Sequence, residues 1–140
     1  MKKRGARIRH TARGHILTPN QIKKLTLPIH VALELLPLGL YTEDHAHDLA
    51  AFLNIASAAA AEAGNENVKR SVIDAMAVVE QMQERVRAGK GWNVTADERD
   101  QLTRAIMVID TWQRTQTTAR WKRAIYRVLD ALDKVEESYA

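Results

Sequence analysis

Cysteine is absent from this 140-residue chain, which excludes a disulfide framework, a thiolate metal site and cysteine catalysis. Its absence also fits a reducing compartment. No apolar run approaches the ~20 residues of a membrane span. None of signal-peptide length follows the positive N-terminus either. Runs of alternating β-branched residues are missing, so no sheet is expected. Acid is missing too, up to Glu34. The expectation is a soluble, cytoplasmic, all-α protein: a four- or five-helix bundle over 17–140, preceded by a basic arm over 1–16.

The acid-free stretch carries the sharpest charge feature. Lys2, Lys3, Arg4, Arg7, Arg9 and Arg13 fall within the first fourteen residues, and Lys23 and Lys24 follow. Removing these eight from the 21 basic residues leaves 13 against 17 acidic ones, so the overall +4 is a basic arm on a body of net −4. Such asymmetry points to a polyanion or to an acidic protein surface. A cationic segment neutralises phosphates and releases counterions, giving affinity without sequence preference. With about six phosphate contacts, log K falls against log salt with a slope of roughly −5. A solvated tail that aids solubility is the plainer alternative.

Helix punctuation is legible along the rest. Thr18-Pro19-Asn20-Gln21 supplies a cap, a first-turn proline and a third-position Gln. Ile22, Leu25, Ile29, Ala32, Leu33 and Leu36 recur at helical spacing behind it, and Pro28 is expected to kink or split the helix near Leu27. Thr42 caps a second helix with an inward stripe of Leu49, Phe52, Leu53, Ala56, Ala59, Ala60 and Ala63, ending at Gly64. Its alanine face predicts close packing against a neighbouring helix. A third helix runs from Glu66 to Ala88 with Val68, Val72, Met76, Val79, Met82 and Val86 inward. Thr95-Ala96-Asp97-Glu98 is a capping box that opens a fourth helix through Leu102, Ile106, Ile109 and Trp112. Residues 114–118 hold neither Gly nor Pro and read either as a short break or as the surface of one long helix. Exposed Leu35, Leu38 and Leu40 would serve a dimer or cover a bundle end.

The last helix adds a second basic feature. Arg120, Arg123, Arg127 and Lys134 fall within about 60° of one another on a helical wheel, roughly 130° from Trp121, Ile125, Val128, Leu132 and Val135. Asp130, Asp133 and Glu137 take the remaining side. From Trp112 to Val128 the cations Arg114, Arg120, Lys122, Arg123 and Arg127 have no acid among them. A face of this kind lies along a phosphate backbone. The alternative is an amphipathic helix whose arginines pair with carboxylates on its neighbours. A helix-turn-helix reading with its break near 115–118 lacks the usual glycine turn and commits Trp121 and Ile125 to the core.

Chemistry beyond binding has little support. Asp44, His47 and Asp48 share a helical face, but a di-iron site needs a second such pair and bridging carboxylates, and His30 with Glu34 does not supply them. No serine sits in a Gly-x-Ser-x-Gly context. Gly89-Lys90-Gly91 lacks the full phosphate-loop pattern and reads as a helix end. The expectation is no enzyme, no cofactor and no metal. Trp92, after that turn, would either anchor a partner or close the bundle.

Two stretches, 7–18 (Arg7 to Thr18) and 87–95 (Arg87 to Thr95), resemble small accessory proteins carried on proteobacterial plasmids and phages. The resemblance implies DNA maintenance, transcriptional control or interference with host defence, including inhibition of CRISPR effector complexes. The reading favoured by the residues is a non-catalytic binding protein whose arm and last-helix stripe contact nucleic acid. Its rival is an inhibitor or adaptor that presents the same cations to an acidic or nucleic-acid-binding protein.

Overall fold

The computed structural model describes the backbone of residues 19–139 and the side chains of residue 24, of 26–131 and of 133–134. Among them are five α-helices and no strand: α1 (Pro19–Leu35), α2 (Glu43–Ala63), α3 (Glu66–Arg87), α4 (Ala96–Gln113) and α5 (Thr118–Tyr139). None is long and apolar enough to cross a membrane. The basic arm lies outside the described residues.

Each helix end follows from local chemistry. The Thr42 amide donates to Nδ1 of His45 at 2.9 Å, and Glu43 and Asp44 occupy the positive end of α2. Gly64 closes that helix with φ 68, a left-handed conformation that a Cβ would strain. The turn satisfies two helix-end carbonyls, with Asn65 N–H on Ala60 O at 3.0 Å and Gly64 N–H on Ala61 O at 3.2 Å. Asn65 then caps α3, its Oδ1 accepting the Val68 amide at 3.1 Å. The ends of α1 and α3 carry the same paired bonds, Leu40 N–H to Leu35 O and Lys90 N–H to Arg85 O.

Two expectations are resolved by this architecture. Pro28 does not split α1, which runs unbroken from Pro19 to Leu35. The proline removes one amide, and the Lys24 carbonyl left behind lies on the exposed side that Pro28 and Lys24 share. Residues 114–117 do break the chain into two helices. There Thr115 Oγ1 donates to Trp112 O at 2.6 Å, and Thr117 Oγ1 accepts the Arg120 amide at 3.2 Å, capping α5.

The core is the meeting of α2 with α1, α3 and α5, and of α4 with α3 and α1. Leu49, Leu53, Ala56, Ala59, Ala60, Met82, Leu102, Ile106 and Ile109 are fully buried. Burying side chains of the larger kind contributes about 1.5–3 kcal/mol each. The alanine run of α2 is inside as expected, and Ala124 of α5, the helix against it, is fully buried too. In α3 the inward stripe includes Ala75 and Val78, while Met76 and Val86 are half-buried.

Candidate nucleic-acid interface

The four cations of the last helix do not form one free stripe. Glu62, near the end of α2, draws two of them. Arg123 donates from Nε to both carboxylate oxygens, at 3.0 and 3.2 Å, and from Nη2 to Oε1. Arg120 brings Nε to 3.6 Å of the same carboxylate and donates from Nη1 to Gln116 Oε1 at 2.7 Å. Lys134 pairs with Asp130 one turn earlier at 3.3 Å. Arg127 is exposed and forms no ion pair among the described residues. For Arg120 and Arg123 the arrangement is the alternative one, in which the arginines of an amphipathic helix pair with a carboxylate on its neighbour. The physical reason is that α5 lies against α2, whose acid-bearing side faces Arg120 and Arg123.

This clamp leaves charge over. One carboxylate shared by two guanidiniums retains a net positive charge, and Arg123 keeps more than half of its side chain in water. The hydrogen bond from Arg123 chiefly holds the Glu62 carboxyl below its ordinary value against the opposing effect of burial, and the charges of Arg123 and Arg120 assist. Arg123 is shifted upward by the same bond. Arg114 at the α4–α5 break, and Lys122 and Arg127 along α5, are exposed and make no ion pair among the described residues. Over this part of the fold the cations without a described ion pair are thus 114, 122 and 127 rather than 120, 123 and 134. Lys2, Lys3, Arg4, Arg7, Arg9 and Arg13 lie outside the described residues.

His30, His45 and His47 each make a structural pairing. His30 on α1 meets Asp110 on α4, Nε2 to Oδ2 at 2.5 Å, instead of Glu34. His45 caps α2, and His47 lies 3.6 Å from Glu43 on the preceding turn. Among the described residues no group of three or more His, Asp or Glu side chains gathers. Gly89 and Gly91 both have positive φ, and Asn93 Nδ2 donates to the Lys90 carbonyl, so this segment is a turn folded on itself. Trp92 is half-buried, edge-on to Tyr41 with ring centroids 5.5 Å apart, and closes one end of the bundle.

Sequence reasoning missed Glu62 and the polar residues around it. Glu62 is the single acid in the run from Ala58 to Ala63, and an acid placed there on a helix face was the available signal. Gln113 is fully buried and Gln116 nearly so, although Gln116 sat in the 114–118 stretch read either as a short break or as helix surface and Gln113 was assigned no role. No protein-family model, curated protein or solved structure matches this chain.

Proposed function

We propose that this chain is a non-catalytic, cytoplasmic binding protein that contacts the phosphate backbone of nucleic acid. The observation that carries the reading is the distribution of charge. Eight cations and no acid occupy the first 24 residues, and among the described residues the acid-free run from Trp112 to Val128 pairs with only one carboxylate, Glu62. Lys2, Lys3, Arg4, Arg7, Arg9 and Arg13 supply electrostatic capture. Arg114 at the α4–α5 break, with Lys122 and Arg127 on α5, supplies exposed contacts, and Arg120 and Arg123 add residual charge while holding α5 to α2. Contacts of this kind position a protein on a backbone without reading bases.

Fluorescence titration with single- and double-stranded nucleic acid at two salt concentrations tests the proposal. Binding that weakens steeply with salt supports it, and no binding at low salt overturns it. Arg114→Glu with Arg127→Glu should reduce the magnitude of the salt slope by roughly 2.

One observation favours a second reading, that of a protein-binding inhibitor or adaptor. The outer face of α1 and the turn after it expose Leu27, Val31, Leu38 and Leu40, with Leu38 68% accessible. Large apolar side chains exposed in this number suit a protein partner. The resemblance to plasmid and phage accessory proteins agrees with either reading. Retention of a stoichiometric partner from nuclease-treated lysate, lost on Leu27→Asp with Val31→Asp, supports the second.

A further inference from the structure

The outward face of α5 has a symmetry of its own. Lys122, Tyr126, Leu129 and Asp133 stand at spacings of four, three and four residues, which places them in one row along the helix. All four are exposed, and Tyr126 and Leu129 are 69% and 51% accessible. On a helical wheel the row lies roughly 170° from Ala124, the fully buried residue of this helix. It therefore faces away from α2, the principal neighbour of α5. Neither Lys122 nor Asp133 makes an ion pair among the described residues, although Asp130 and Lys134 beside them pair with each other.

We propose that this row is the contact between two copies of the chain, joined as an antiparallel pair of α5 helices about a two-fold axis. In that arrangement the levels of Tyr126 and Leu129 straddle the axis, and each Tyr126 lies opposite the other copy's Leu129. The same register puts each Lys122 opposite the other copy's Asp133. Self-complementarity of this kind is what an isologous interface requires. The parallel alternative sets Lys122 over Lys122 and Asp133 over Asp133, and like charges directly opposed disfavour it. The two ion pairs close the contact at both ends, about 16 Å apart along the helix, with the apolar pair between them.

Size sets the strength. Three turns of helix with two large apolar side chains per copy bury less than the ~800 Å² per partner of a standard stable interface. The dimer is accordingly weak, with a dissociation constant above about 1 μM. This surface is separate from the residues proposed for nucleic acid except at Lys122, and its test needs no ligand.

Sedimentation equilibrium of the full chain over a concentration series at low salt should show reversible dimerisation. Lys122→Asp alone, or Asp133→Lys alone, should weaken it about tenfold or more, because each sets like charges opposite one another. The double exchange Lys122→Asp with Asp133→Lys should restore the parent affinity to within about threefold, which loss of fold or general charge cannot imitate. As the chain has no cysteine, mixing the single variants Tyr126→Cys and Leu129→Cys under mild oxidation should give the mixed disulfide dimer in preference to either homodimer. Three outcomes overturn the proposal. These are a chain that stays monomeric into the millimolar range, dimerisation indifferent to the charge exchange, and a mixed disulfide formed without preference. Indifference would move the dimer contact to another face such as α1, and a persistent monomer would leave the row to a partner of a different sequence.

Discussion

Arg123 of α5 and Glu62 of α2, 61 residues apart in the chain, share two hydrogen bonds through a single Nε, at 3.0 and 3.2 Å, with Nη2 bonded to Oε1 as well. A guanidinium held this way fixes the angle of α5 on α2 as well as its distance. Glu62→Gln should lower stability by about 1 kcal/mol, the upper end for an ion pair whose arginine is solvent-exposed. The pH dependence has a definite sign. Glu62 has its folded pKa lowered from 4.5, chiefly by the Arg123 hydrogen bond, so its contribution is present above pH 4.5 and lost as pH falls through the lowered folded value. Thermal melts of the parent and Glu62→Gln should therefore differ at pH 7 and converge in strong acid.

His30 and Asp110 join α1 to α4, and Asp110 is the more enclosed partner, with Oδ1 buried and without a hydrogen bond among the described residues. Removing the imidazole leaves a carboxylate that has lost its described partner. His30→Ala should cost about 1–3 kcal/mol. Asp110→Asn in the same chain should recover part of that loss, because the stranded charge is gone. A double-mutant cycle by urea denaturation checks the non-additivity.

Gln113 is fully buried, and both Nε2 and Oε1 lack a hydrogen-bond partner among the described residues. Gln113→Met keeps the length of the side chain and removes two orphaned polar atoms. It should raise stability by about 1 kcal/mol. An unchanged or lower melting temperature would mean that the amide is bonded in solution.

Thr95 and Glu98 complete a reciprocal cap, amide to Oε1 at 2.9 Å and amide to Oγ1 at 3.1 Å, and Glu98 also accepts from Arg85 of α3 at 3.0 Å. Burial pushes the Glu98 carboxyl up, but the Thr95 and Arg85 interactions together outweigh it and hold it below its ordinary value. Thr95→Ala should cost about 1 kcal/mol. Glu98→Ala should cost more, since it unties the α3–α4 turn as well, and circular dichroism melts of the two variants give the order.

Helix ends were legible because their causes are local. Gly64, Gly89 and Thr95 act through bonds within a few residues, and each does in the structure what its neighbours in sequence imply; Thr42 holds its N-cap position, but there its amide donates to His45 and its hydroxyl makes no cap bond. The break at 114–117 was half legible. It uses the hydroxyls of Thr115 and Thr117 in place of glycine or proline, and threonine alone does not distinguish a cap from a helix surface. The fate of the basic stripe was illegible for a different reason. A helical wheel places Arg120 and Arg123 on one side of α5, but their partner Glu62 belongs to another helix, and only the packing of α5 on α2 brings it there. His30 and Asp110, separated by 80 residues, are a second case.

The attachment of α5 has one more consequence. Every other helix has two or more principal neighbours, whereas α5 rests chiefly on α2, at the end of a short link. The last helix is the natural detachable part of the molecule, able to swing away while the first four keep their mutual contacts. Trp121, almost wholly enclosed and 6.3 Å from the ring of Trp112, would meet water in that motion. Its emission, and faster amide exchange over 118–139 than over α2 or α3, would record the departure well before the whole chain melts.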